Sequence, residues 1–231
     1  MNHTQTPITV ISSMATRHVL TDLADAYAQR VTVESVGGVE AERRVKEGEA
    51  FDIVVLAANA ISRLVAAGRV DAASRVGVAR SGIAVAIAKG AARPSIGNEA
   101  AVRSAVLEAR SIGYSTGPSG AHLMRLFERW GIAETVASRI VQAPPGVGVG
   151  ALIARGDVEL GFQQMSELIG VDGVNVIGPM PAAIQAMTVF EGALCENARA
   201  GQAARSLLAF MRDADAVKQR YGMEPVRLPA A

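Results

Sequence analysis

Little in this sequence invites disulfide, metal or nucleic-acid chemistry. Its single cysteine, Cys195, excludes an intramolecular disulfide and any multi-cysteine metal site, and reads as a buried or partly buried free thiol. The three histidines, His3, His18 and His122, are scattered without metal-ligand spacing, so neither a dedicated metal site nor a cofactor is expected. Basic and acidic residues are mixed throughout and leave a formal net charge of +1, which gives no footprint for nucleic acid or an anionic membrane. No apolar run reaches the roughly 18 residues that a membrane-spanning helix needs, so no membrane insertion is expected. A GxxxxGK[ST] loop is missing, and the glycine-rich stretches do not follow the first strand with dinucleotide spacing. Met1 to Pro7 lack the basic and apolar regions of a secretory leader. As written the chain therefore reads as cytoplasmic, and as periplasmic if a leader has been removed.

What is present is small and apolar: half of the 231 residues are hydrophobic, only 4% are aromatic, and glycine occurs 23 times. Such a chain can build one large α/β domain or two small lobes. Ile8–Ile11, Val31–Val36 and Phe51–Ala58 read as strands, each followed by a helical pattern, with the first helix expected over Met14–Arg30. Three βα units in succession point to a doubly wound parallel sheet. Val76–Ala88 is a longer strand carrying Arg80-Ser81-Gly82 in its middle, where it bends or passes between lobes. Val158–Phe162, Val174–Ile177 and Ile184–Phe190 are further expected strands, and Ala198–Arg220 is helical.

The stretch Gly113-Tyr114-Ser115-Thr116-Gly117-Pro118-Ser119-Gly120 opens onto a helical run with Leu123, Leu126, Phe127 and Trp130 on one face and Gly131 at its end. Ser119 is the expected N-cap. A helix start of this kind presents free N–H groups and positive dipole to an anion. Ser12-Ser13 forms a second polar loop before a helix. Gly37-Gly38 and Gly148 form two more small-residue loops.

Ile8-Thr9-Val10, Glu49-Ala50-Phe51-Asp52-Ile53-Val54, Pro118-Ser119-Gly120, Gly150-Ala151-Leu152 and Val217-Lys218-Gln219-Arg220-Tyr221-Gly222 together resemble the molybdate-binding-protein-like family of type 2 periplasmic binding proteins. These are solute-binding proteins of ABC transporters, and the resemblance extends to aconitate isomerase. It implies an α/β, two-lobed type 2 periplasmic-binding-protein fold with two crossing strands, Gly77–Ala88 and Val176–Phe190. Lobe 1 is then expected over 1–80 and 183–231, lobe 2 over 81–182, and the ligand in the cleft between them. An ABC permease is an expected partner only of an exported chain.

The resemblance places the family's hydroxyl donors near Ala15, on Gly37-Gly38-Val39 and on Gln164, so the molybdate pattern is not matched residue by residue. Gln163 and Gln164 supply amides instead, which suit carboxylates or hydroxyls. The expected ligand-binding set is Ser12, Ser13, Thr16, Arg17, Gly38, Arg80, Ser115, Thr116, Ser119, Gly120, Gly148, Gln163 and Gln164. Two activities fit it. One is binding of a small anion, an organic di- or tricarboxylate before a molybdate-type oxyanion. The other is an aconitate-isomerase-like proton shift on an unsaturated carboxylate, for which His122 and His18 are the weak catalytic candidates.

Overall fold

The structure is a computed structural model that describes residues 6–226. They form two compact units, one comprising the chain up to Arg80 together with Val189 onward, the other Ser81–Thr188.

In the first unit, β1 (Ile8–Ser13) leads through a 3-10 turn (Met14–Thr16) into α1 (Arg17–Ala26), and β2 (Val31–Val36) leads into α2 (Gly38–Lys46). Next come β3 (Ile53–Ala57) and α3 (Ala58–Ala66). The strand order β2-β1-β3-β9 is parallel until β9 (Met187–Leu194) adds antiparallel to β3. The doubly wound reading therefore holds for the three βα units. Ile8, Val10, Ile53 and Val55 pack with Leu20, Leu23, Leu207 and Met211 in one core cluster, while Ile11, Val54 and Leu56 pack with Ala41, Val45 and Ile61 in another. Alternate strand residues thus feed opposite faces, as the pleat requires. The first helix is ten residues long rather than the expected span, because Tyr27 adopts extended backbone and sets its ring 5.3 Å from that of Phe210.

The second unit begins inside β4 (Val76–Ala88), which continues through Arg80-Ser81-Gly82 without a break. Gly82 is required there by close approach: a Cβ would lie 2.9 Å from Gln185 Nε2. The Gln185 amide lies edge-on to the strand, accepting from Ile83 N at 2.8 Å and donating to Ile83 O at 2.9 Å.

Beyond α4 (Glu99–Glu108) come β5 (Ile112–Tyr114), α5 (Pro118–Arg129), α6 (Ala133–Val136) and β6 (Ile140–Gln142). They are followed by α7 (Val149–Arg155), β7 (Leu160–Gln164), α8 (Met165–Leu168) and β8 (Val174–Pro179). Here β6, β5 and β7 run parallel, whereas β4 pairs antiparallel with both β7 and β8. The expected crossing over Val176–Phe190 is corrected. β8 ends at Pro179 inside this unit, since prolines 179 and 181 offer no N–H to a ladder, and the strand that leaves the unit is β9.

The chain closes with α9 (Gly201–Asp213) and α10 (Asp215–Arg220) in the first unit. No helix among the described residues is long and apolar enough to cross a membrane. Cys195 is a buried free thiol whose pKa is pushed up to about 12 by burial and by the neighbouring Asp52 charge.

Candidate functional site

The register sets where polar side chains gather. In the first unit Ser12 stands opposite Ser35 on β2 and Val55 on β3, so the loops after Ser13, Val36 and Ala57 share the carboxyl edge of the parallel strands. In the second, Tyr114 stands opposite Gln142 and Phe162, so the loops after β5, β6 and β7 share an edge of the same kind. Ligands of open α/β sheets bind at such edges.

In the first unit Ser12, Ser13, Thr16 and Gly38 come together. The Ser12 hydroxyl lies 2.8 Å from that of Ser35, and Thr16 Oγ1 donates to the Ser13 carbonyl at 3.1 Å. Ser13 is only 7% exposed, and its own Oγ has no partner. A Cβ on Gly38 would lie 3.7 Å from that of Ser13, so no side chain separates Ser13 from the start of α2.

The other first-unit candidates stand apart from this group. Arg17 is exposed, and so is His18, whose ring stacks on Tyr221 at 5.8 Å. Arg80 is paired with Glu224, Nε donating to Oε2 at 2.7 Å beside an antiparallel backbone bridge.

The second unit brings Ser115, Ser119 and Gly120 together: the two hydroxyls are 3.2 Å apart, and a Cβ on Gly120 would lie 1.7 Å from the Ser115 carbonyl. The N-cap of α5 is Gly117 rather than Ser119, because Pro118 takes the first helical position, where its missing N–H costs nothing and its φ suits the helix. Ser119 is therefore buried in the first turn, and Thr116 is exposed on the loop. The C-terminal end follows expectation, with Gly131 at φ +66°.

Neighbouring glutamines at the end of β7 face opposite sides and differ in their bonding. Gln163 Oε1 accepts from Val149 N at 2.8 Å, beside Gly148, while its Nε2 donates to Glu167 Oε1 at 2.8 Å. Gln164 Nε2 donates to Thr188 Oγ1 at 2.7 Å, but its Oε1 has no partner in a side chain 2% exposed. Among the described residues, Ser13 Oγ and Gln164 Oε1 are the buried side-chain polar atoms left in this state. His122 Nε2 lies 2.9 Å from the Ile184 carbonyl, which fixes it as a donor to backbone.

The sequence matches the family model described as bacterial extracellular solute-binding protein over residues 8–224. The chain belongs to that family. Aconitate isomerase from Pseudomonas sp. is 35% identical to it over 235 residues, covering 96% of this chain and 88% of the relative. Among solved structures, the Azotobacter vinelandii periplasmic molybdate-binding protein superimposes with a TM-score of 0.78 at 20% identity, covering 96% of this chain and 100% of that one. The sulfate-binding protein SubI from Mycobacterium tuberculosis gives 0.70 at 15% identity, covering 96% and 88%. The fold is that of the type 2 periplasmic binding proteins, as the resemblance implied.

Three contributors to these edges escaped the sequence reading of this solute-binding-family chain. Ser35 and Thr188 carried no local signal, since only strand register and chain return bring them to Ser12 and Gln164. Glu167, on the turn after β7, looks in sequence like a surface charge. In the structure it is half-buried, and burial pushes its pKa up to about 7, the single amide bond from Gln163 offsetting this only in part.

Proposed function

We propose that this chain is a solute-binding-type protein that holds a small organic di- or tricarboxylate at the carboxyl edges of its parallel strands. The observation that carries the reading is the pair of buried, unpartnered atoms, Ser13 Oγ and Gln164 Oε1, each at the end of a strand on a carboxyl edge. Leaving a buried polar atom unsatisfied costs about 1–3 kcal/mol, which a ligand that pairs with it restores.

Ser13 offers a hydroxyl donor. The Thr188 hydroxyl can donate as well as accept, so the Gln164 amide satisfies it in either orientation and presents Oε1 or Nε2 to a ligand. A group that switches between acceptor and donor suits a ligand carrying both hydroxyl or protonated carboxyl and carboxylate oxygens. A fully ionised tetrahedral oxyanion has only acceptors and uses half of that capacity. Ser12, Thr16, Ser115, Thr116, Ser119, Gly120 and Gly148 belong to the same proposed set, with Gly38 leaving room beside Ser13. Arg80, already paired, is its weakest member, and an ABC permease is the proposed partner of the exported protein.

The test is a thermal-shift and calorimetric comparison of trans-aconitate, citrate, succinate, molybdate and sulfate on the wild-type chain and on Ser13→Ala and Gln164→Leu. A carboxylate is expected to stabilise the wild type and to lose affinity in both variants. Stabilisation by molybdate or sulfate alone would reject the ligand class, and loss in one variant only would remove the other residue from the proposed set.

A second reading is favoured by the 35% identity with aconitate isomerase along nearly the whole of both chains: the carboxylate is transformed as well as held. Conversion of trans-aconitate, followed by NMR, separates the two.

A further inference from the structure

Gln185 and Gln164, both in the second unit, hold amides of opposite freedom. Gln185, on the return from β8 to β9, is engaged by backbone on every side: Oε1 accepts from Ile83 N and Ala186 N, and Nε2 donates to Ile83 O and Met180 O. Turning it over would set oxygen against oxygen at Ile83, so its orientation is fixed. Gln164 has a single partner, the Thr188 hydroxyl at 2.7 Å, which rotates to donate or to accept. The other end of its amide is buried and unpartnered.

Thr188 is itself tied to the frame on which Gln164 stands. Ile83, gripped by Gln185 through both backbone groups, is the antiparallel cross-strand partner of Gln164. One residue before Gln185, the Ile184 carbonyl accepts from His122 Nε2 at 2.9 Å, and His122 lies on α5 just beyond Ser119 and Gly120. Gln164 shares its face of β7 with Phe162, two residues earlier, and Phe162 packs with Leu123, Phe127 and Ile184. The segment 184–188 therefore ties α5, β4 and β7 together, and it ends with the Thr188 hydroxyl on the Gln164 amide. His122, set aside as a catalytic group, is an anchor of this segment.

We propose that Thr188 is the positioning residue that sets the ligand range of the site: its hydroxyl holds the Gln164 amide in place yet lets either end face the ligand. The same position then donates to a carboxylate through Nε2 or accepts from a hydroxyl through Oε1. This rests on the carboxylate reading of the site and extends it to a class, tricarboxylates with and without a hydroxyl group. An acceptor-only side chain in place of Gln164 would select between the two, because a carboxylate meeting it finds no donor.

The experiment uses the full chain and the probes citrate and tricarballylate, which differ by one hydroxyl group. Affinities are measured by calorimetry with both probes ionised, on wild type, Thr188→Val, Thr188→Ser and Gln164→Glu, each checked for fold by circular dichroism. Wild type is expected to bind the probes within about threefold of one another, since the amide serves either. Thr188→Val keeps the shape without the hydroxyl and weakens both about tenfold, whereas Thr188→Ser keeps the hydroxyl and stays within about twofold of wild type. Gln164→Glu still accepts from Thr188 but offers the ligand only acceptors, and separates the probes by at least about tenfold in favour of citrate. A wild type that prefers one probe by more than about tenfold, a Thr188→Val that binds like wild type, a Thr188→Ser loss as large as that of Thr188→Val, or equal losses of both probes in Gln164→Glu each overturn the inference and leave the carboxylate reading standing. If Thr188→Val does not fold, the separation in Gln164→Glu decides. A wild type that binds neither probe overturns the inference, and failure of trans-aconitate and succinate as well overturns the carboxylate reading with it.

Discussion

The ends of β1 and β7 solve the same packing problem with different chemistry. Both deliver two consecutive polar residues to a carboxyl edge, and in both the second of the pair is buried with an atom unpaired. At β1 the first residue, Ser12, bonds its strand neighbour Ser35, and the polar groups gathered there are hydroxyls. At β7 the first residue, Gln163, is locked between the start of α7 and the Glu167 carboxyl group. The first edge presents short hydroxyls, the second longer amides whose reach is set by the partners that hold them.

The largest expected effect falls in the second unit, at the loop after β5, the parallel neighbour of β7. Gly120→Ala puts a methyl group 1.7 Å from the Ser115 carbonyl, and is expected to destabilise the chain by about 3 kcal/mol or more in urea unfolding. Gly38→Ala, the nearest counterpart on the β1 side with 3.7 Å of room, is expected to leave stability unchanged or raise it by less than about 1 kcal/mol.

Glu167 gives the next effect, and its sign is fixed by linkage. Its folded pKa of about 7 lies above its ordinary 4.5, so between those values the folded state holds more protons and stability falls as pH rises. Glu167→Gln is therefore expected to leave stability unchanged at pH 4 and to raise it by up to roughly 3 kcal/mol above pH 7. Unfolding curves at pH 4, 6 and 8 check this, and an equal effect at all three would show that the carboxyl is not held neutral.

Removal of the two unpaired groups comes third. Gln164→Leu is expected to weaken carboxylate binding about 10- to 100-fold and Ser13→Ala about 2- to 10-fold, because bonds to charged groups are worth more when the partner is held in place. Ser13→Ala should cost the free protein less than about 1 kcal/mol, as Ser13 Oγ makes no bond that would be broken, whereas Gln164→Leu also removes the bond to Thr188 Oγ1 and should cost about 1–2 kcal/mol. The reverse ranking of affinities would make the hydroxyl edge the principal one. Arg80→Ala should be the mildest change, under twofold in affinity and about 0.5 kcal/mol in stability, since Arg80 and Glu224 are both largely exposed.

Legibility followed the range of the interactions. The three βα units, the break at Gly131 and the long β4 were readable because periodicity and glycine act within a few residues. The end of α1 was not, since Tyr27 leaves the helix to reach Phe210, far along the chain. The polar loops at Ser12-Ser13 and Gln163-Gln164 announced themselves as positions where small or amide side chains interrupt apolar strands. Which atom of each pair stays unpaired depends on Ser35 and Thr188, and no local pattern specifies those partners. The same holds for Glu167: its acidity is set by burial and by the Gln163 amide, and neither is visible in its local sequence.

Asp52 binds the first unit together from both ends of the chain. Its carboxylate accepts from Thr9 N and Oγ1 and from the backbone N–H groups of Arg199 and Ala200, bonds that outweigh burial and hold its pKa below the usual range. That knot implies an order of assembly. As the chain leaves the ribosome, residues 81–188 are complete and contiguous while the first unit still lacks β9 and α9. The later-numbered unit is thus expected to fold first, with the earlier one held open until residue 200 arrives to satisfy an aspartate made almost 150 residues before.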